Sequence, residues 1–258
     1  MSIKGVDLSR WQEGLKISAV KESGYKFAIL RGGYTGYGDR SLNKDTSFEG
    51  FYEQAKKIGF PVGCYWYSCA DSKDFGLKEA KYLYKQCLKG KKFEYPIYID
   101  VEEEKWQAKD KKGVTEAIIA FCEYLESKGY YVGVYASLDW FNNEIDTARL
   151  NSYSKWVACW QSRKPMFKFN DFDMWQNSDK GKAGGARVDT DIAYVDFPKI
   201  MKEHGLNGYT KVKLKSIDQV AKEVIDGKWG NGSERRDRLT KAGYDYATVQ
   251  KRVNELLK

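Results

Sequence analysis

Apolar and polar positions alternate between two rhythms along the first 137 residues. Short strand-like runs at Ile3–Ser9, Phe27–Gly32, Pro61–Ser68, Tyr95–Glu102 and Tyr131–Ser137 are each followed by a stretch with a helical period. Several of those stretches close on a glycine (Gly24, Gly59, Gly90, Gly129), as helix C-termini do. Such βα alternation predicts a parallel sheet with helices outside it. After about residue 150 the rhythm changes. Lys155–Gln161, Asp173–Asn177 and Val188–Val195 read as strands, but no helical period separates them. Five βα units plus three strands make eight, enough to close a (β/α)5(β)3 TIM-like α/β barrel; the competing arrangement is an open doubly wound sheet. The glycine-rich run Arg31–Gly38 follows the second strand and matches neither a phosphate loop nor a dinucleotide fingerprint, so it reads as a rim loop.

A different pattern follows residue 205. Residues 206–215 read as a linker, and three short helical patterns come after it. Ser216 with Gln219 forms a capping-box signature, and Ile217, Val220, Ala221, Val224 and Ile225 fall on one face. A second helix begins around Ser233-Glu234 and stops at Gly243. A third begins at Asp245 and turns Tyr246, Val249, Val253, Leu256 and Leu257 inward. The predicted organisation is a barrel over 1–205, a linker over 206–215 and a small three-helix bundle over 216–258.

Charge sharpens this division. The net charge is +8, and residues 211–258 hold 12 Lys/Arg against 7 Asp/Glu, leaving +3 for the longer N-terminal part. A basic tail on a near-neutral body points to a polyanion such as nucleic acid, a membrane surface or an anionic cell wall. Membrane insertion is not expected, because no apolar run is long enough to span a bilayer. The N-terminus lacks the basic-then-apolar pattern of a secretory leader, so synthesis in a cytoplasm is expected. Cys64, Cys69, Cys87, Cys122 and Cys159 are odd in number, scattered, and read as reduced core residues. The sole histidine, His204, lies beyond the last strand, which disfavours a Ser-His-Asp triad, a Cys-His dyad or a His-rich zinc site. Neither a metal nor a cofactor is expected.

The most informative stretch is Tyr95-Pro96-Ile97-Tyr98-Ile99-Asp100-Val101-Glu102. Strand alternation puts Ile97, Ile99 and Val101 on one face and Tyr98, Asp100 and Glu102 on the other. In a barrel wrapped by helices the polar set faces inward, at the C-terminal strand ends where barrel enzymes carry their chemistry. Like charges on one face raise the proton affinity of at least one carboxyl, and glycoside hydrolysis needs such an acid. Asp7 at the end of the first strand, and Asp189 and Asp191 in the last, converge on the same rim if the barrel closes. Glu103 and Glu104 read as an acidic loop or helix start.

These residues resemble a known family. Gly5-Val6-Asp7-Leu8-Ser9-Arg10-Trp11-Gln12, Tyr98-Ile99-Asp100-Val101-Glu102, and Trp175-Gln176 followed by Asp189-Thr190-Asp191 are similar to the motifs of glycoside hydrolase family 25, the Chalaropsis-type lysozymes. The resemblance covers roughly residues 1–205. It implies a (β/α)5(β)3 barrel that hydrolyses the β-1,4 bond between N-acetylmuramic acid and N-acetylglucosamine of Gram-positive peptidoglycan. By motif, Glu102 would be the general acid and Asp100 its partner, with Asp7 and Asp191 completing the acidic rim. Asp191 aligns better than Asp189 with the late aspartate of the family, but the asparagine that usually follows is not present. Tyr34, Tyr65, Tyr67, Tyr135, Trp66 and Trp175 are the groove-lining residues this comparison suggests.

The tail, from Ile217-Asp218 through Gly227-Lys228-Trp229-Gly230-Asn231-Gly232 to Ala242-Gly243-Tyr244-Asp245-Tyr246, resembles a short wall-binding repeat of phage lysozymes. That resemblance implies a three-helix module that recognises peptidoglycan fragments, with Arg235, Arg236 and Arg238 as carboxylate-binding residues. A single copy leaves avidity to the barrel or to self-association. Together these resemblances describe a phage endolysin released onto the wall. A non-catalytic wall lectin on the same barrel is the alternative, and nucleic-acid binding is disfavoured because the tail lacks interleaved aromatics and a reader motif.

Overall fold

In the computed structural model the described residues are 2–169, 171–211 and 215–258. They divide into two compact units, 1–211 and 212–258.

In the larger unit the inward and outward alternation of each strand fixes the architecture. β1 (Ile3–Leu8), β2 (Ala28–Thr35), β4 (Val62–Tyr67), β5 (Ile97–Asp100), β6 (Val132–Ser137), β7 (Ser154–Ala158) and β8 (Met174–Ala183) run parallel, and β9 (Ala186–Ala193) returns antiparallel between β8 and β1. Parallel pairing of β1 with β2 closes the eight-stranded barrel, which excludes the open sheet. Strand residues Val6, Leu8, Ile97, Ile99 and Val134 point outward into the layer packed under α1 (Ile17–Glu22), α2 (Phe48–Lys57), α3 (Lys73–Leu83) and α4 (Lys111–Glu126). Phe27, Ile29, Tyr98, Trp156, Met174 and Ala193 fill the barrel interior. The fifth crossover carries only short irregular helical turns, at Trp140–Glu144 and Thr147–Leu150.

Three differences from the sequence reading have physical causes. The glycine-rich run is not all loop: β2 continues to Thr35 through a bulge and pairs with a short antiparallel strand, β3 (Leu42–Lys44). A side chain at Gly33 would come within 2.3 Å of the Asn43 carbonyl and 2.4 Å of the Trp66 ring, so glycine is what lets β3 approach. The segment expected to open the linker instead seals the bottom of the barrel after α5 (Phe197–His204). Asn207 is buried, accepts from the Tyr131 N–H (2.7 Å) and donates to the Tyr95 carbonyl (2.8 Å). It holds a left-handed backbone (φ +52°), a conformation that asparagine adopts more readily than most residues. Residues 212–214 of the expected linker lie outside the described residues. Finally, β8 and β9 form a hairpin whose tip, Gly184-Gly185, has positive φ at both positions. The Gly184 N–H donates to Ser23 Oγ (3.1 Å) beyond the end of α1.

The smaller unit is a three-helix bundle of α6 (Ile217–Ile225), α7 (Gly232–Lys241) and α8 (Tyr246–Leu256). Ser216 and Gln219 form the expected capping box, and Asp245 caps α8 through the Thr248 N–H. Val220, Ala221, Val224, Leu239, Val249 and Val253 make its core, whereas Ile225 and Leu257, expected inside, are exposed. Among the described residues no helix is long and apolar enough to cross a membrane.

Candidate active site

Strand register carries the site. Tyr34, Tyr67, Asp100, Tyr135 and Trp156 lie opposite one another on successive strands β2, β4, β5, β6 and β7. Asp7 lies opposite Asp189 across the β1–β9 pair, and Gly5 opposite Asp191. Register thus turns Asp7, Asp100, Asp189 and Asp191, all expected at the rim, toward the barrel interior, with Glu102 just beyond the C-terminal end of β5. Because β9 runs the other way, its earlier residue, Asp189, is half-exposed nearer the mouth, while Asp191 is buried deeper and accepts from Trp156 Nε1 (2.9 Å).

Burial and mutual repulsion raise the proton affinity of all five. Asp7 is pushed up to about 8, by burial first, then by Asp189 and Glu102, against a donor from Gln176 and the Arg31 charge. Burial and the neighbouring charges of Glu102 and Asp7 lift Asp100 well above the carboxylate range. Asp191 is raised by burial, Asp7 and Asp189. Glu102 stays solvent-accessible at the mouth, and its carboxyl is raised by the surrounding protein and by Asp189. Asp189 is raised by burial and by Asp179. One oxygen each of Asp100 and Asp191 is buried without a hydrogen-bond partner among the described residues. Such atoms cost stability unless protonated or met by an incoming group. The arrangement supplies a proton donor at an open mouth above carboxyls able to orient or stabilise a cationic centre.

Three residues of the site have no role assigned from the sequence, although Gln176 lies in one of the motifs. Arg31 faces inward on β2, pairs with buried Asp45 (2.7 Å), and leaves Nη2 buried without a partner among the described residues; its charge acts on both Asp7 and Asp100. Gln176 is buried and donates from Nε2 to Asp7 Oδ2 (2.8 Å). Trp156 packs edgewise against Tyr65 and Tyr135 and bonds Asp191. Alternation along β7 and β8 was the available signal for the last two, but it had no anchor to say which parity faced inward.

The aromatic expectations need correction. Trp175 and Trp66 point away from the acids, into the layer under the helices, and are buried; Trp175 Nε1 donates to the Cys159 carbonyl (2.8 Å). They cannot line a groove. Tyr65 and Tyr135 face inward but are almost fully buried, so they offer the floor of the site rather than ring faces. Tyr67 is half-buried beside Asp100 and Glu102, and burial followed by those charges raises its hydroxyl. Tyr34 sits at the mouth with Arg10 and Arg31 over its ring. Glu103 is buried and accepts from the N–H groups of Lys105 (3.1 Å) and Trp106 (3.0 Å), holding the turn that follows Glu102.

In the smaller unit Arg235 is committed to its own bundle, donating to the Gly230 carbonyl, Asn231 and Gln250. That leaves it no free fork for a carboxylate ligand. Arg238 pairs with Glu234 (2.6 Å), and Arg236 is exposed, over the Tyr246 ring. A separate cleft of the bundle is lined by Trp229 with Lys215, Lys228, Arg238, Lys241 and Glu223, which pairs with Lys215 and accepts from Trp229 Nε1 (3.1 Å).

The model of glycosyl hydrolases family 25 matches residues 6–186, and a CW_7 repeat matches residues 218–257. The chain is 30% identical over 145 residues to a lysozyme of Streptococcus phage Cp-7, an alignment covering 55% of this chain and 41% of that one. It is 26% identical over 190 residues to an autolytic lysozyme of Clostridium acetobutylicum, covering 74% and 55%. The catalytic domain of endolysin ply40 from bacteriophage P40 of Listeria monocytogenes has a similar structure, with a TM-score of 0.62 at 25% identity, covering 78% of this chain and 97% of that one. The chain thus spans about half the length of the curated relatives it matches.

Proposed function

The chain belongs to glycosyl hydrolases family 25, and from that premise we propose that it is a peptidoglycan hydrolase of the endolysin kind, cutting the β-1,4 bond between N-acetylmuramic acid and N-acetylglucosamine. The observation that carries the reading is the acidic mouth, where Glu102 stands accessible with a raised proton affinity above buried Asp7 and Asp100.

Glu102 donates its proton to the glycosidic oxygen as the bond to C1 breaks. The oxocarbenium-like centre then forms over the floor of the site. Asp100, with one oxygen unpartnered among the described residues, holds the substrate's acetamido group so that its carbonyl oxygen closes on C1 from the opposite face. Water opens that intermediate with Glu102, now ionised, as base, giving retention. Asp189 at the mouth, rather than the deeper Asp191, is the β9 acid whose charge, after burial, raises the proton affinity of Glu102. The smaller unit supplies wall affinity, through Arg236, Arg238 and the Trp229 cleft rather than Arg235.

Digestion of defined peptidoglycan followed by mass spectrometry tests this. Products ending in reducing N-acetylmuramic acid are expected. Reducing N-acetylglucosamine would reassign the bond, and binding without new reducing ends would make the barrel a lectin.

A further inference from the structure

We propose that Trp160 is the sugar-stacking residue of the mouth and that Gln176 transmits its position to Asp7, so that occupancy of this aromatic platform reaches the acidic floor. The inference rests on the glycosidase reading only for the identity of the sugar.

Trp160 follows β7 and is 60% exposed, which leaves a large apolar face open to a ligand. Its polar edge is nevertheless fixed, because Nε1 donates to Gln176 Oε1 (3.0 Å). An indole anchored by its N–H and bare on its face suits the apolar face of a pyranose.

Gln176, only 3% exposed, takes a second donor on the same oxygen from the Tyr135 hydroxyl (3.0 Å), leaving Nε2 to donate to Asp7 Oδ2 (2.8 Å). A flipped amide would set its NH2 against the indole N–H and its oxygen against the Asp7 carboxyl. Tyr135 could accommodate a flip by turning its hydroxyl, but an indole N–H can only donate. Trp160 is therefore the residue that fixes which end of Gln176 meets Asp7, and Gln176 is a positioning residue. The groups facing Asp7 from the other strands are Asp189 and Asp191 on β9, Arg31 on β2, Tyr65 on β4, Tyr135 on β6, Asp100 on β5 and Glu102 beyond it.

Two readouts on the full chain test this. The first is binding of a peptide-free tetrasaccharide of alternating N-acetylglucosamine and N-acetylmuramic acid, measured in a Glu102→Gln background so that cleavage does not interfere. Trp160→Ala is expected to weaken it about tenfold and Trp160→Phe by less than about threefold. The second is the titration of the Asp7 carboxyl by carbon-13 NMR, assigned with Asp7→Asn. Both Trp160 variants, and Gln176→Leu, are expected to move its midpoint upward, because the donor that favours the charged form is loosened or lost. Unchanged affinity in Trp160→Ala, or an Asp7 midpoint unmoved in Trp160→Phe, overturns the proposal. A wild-type chain that binds but releases no reducing ends sinks the glycosidase reading and leaves both of these measurements valid.

Discussion

The two ends of the barrel are built from the same strands and treat their polar groups in opposite ways. At the bottom, Asn207 exchanges hydrogen bonds with both Tyr95 and Tyr131, and Phe27 stacks on Tyr95 at 4.1 Å. At the mouth, Asp7, Asp100, Glu102, Asp189 and Asp191 are linked by repulsion, and Asp100, Asp191 and Arg31 each keep a buried atom without a partner among the described residues. One end is closed for stability, and the other accepts electrostatic strain that a reaction can use.

That contrast can be broken experimentally. The largest effect is expected at the mouth: Glu102→Gln removes the proton donor and should lower wall-clearing activity on the order of a thousandfold while leaving the melting temperature near that of the parent. Asp100→Asn should cost roughly tenfold to a hundredfold in kcat with less change in KM, since its work is done in the transition state. At the opposite end, Asn207→Ala strands two backbone groups and should destabilise the barrel by about 1–3 kcal/mol, with specific activity unchanged in the folded fraction. If Asn207→Ala lowered activity as Glu102→Gln does, the division of labour would be wrong.

Asp7→Asn should have a smaller effect of the opposite sign. The proton affinity of Asp7 is higher in the folded state, so the folded protein binds more protons and loses stability as pH rises from the ordinary range near 4 to about 8. The variant's advantage in thermal unfolding should be absent below about pH 4 and grow across that window to about 1–2 kcal/mol. A constant difference at all pH values would contradict the strain assigned to the mouth. The smallest effect is expected in the other unit. Arg238→Ala removes an exposed i,i+4 pair with Glu234 and should change bundle stability by less than about 0.5 kcal/mol.

The sequence made the acids legible because alternation needs only one anchor. Ile97, Ile99 and Val101 declare the helix-facing side of β5, so Asp100 and Glu102 follow, and the glycine-closed βα rhythm predicts the barrel that gathers them. The capping box at Ser216 made the first bundle helix equally plain. Other features had no such anchor. Trp175 and Gln176 are adjacent, and nothing in Asp173–Asn177 says which is inside. The aromatic was the natural choice for a sugar groove, but the structure gives the interior to the amide. Arg31 falls where the predicted strand Phe27–Gly32 overlaps the run read as loop, and its role depends on Asp45, brought to it by β3. Asn207 looked like linker because a polar residue between glycine and leucine announces neither burial nor its distant partners.

The reversed last strand also limits how the molecule can change. β9 is hydrogen-bonded on both sides, to β8 and to β1, and side chains along it alternate strictly. Losing Val188 with the tip held in register would turn Thr190 and Ile192 into the barrel and both aspartates out. Descendants of this chain can therefore vary in length at the Gly184-Gly185 tip, where the chain reverses, and must hold their spacing through the rest of the strand.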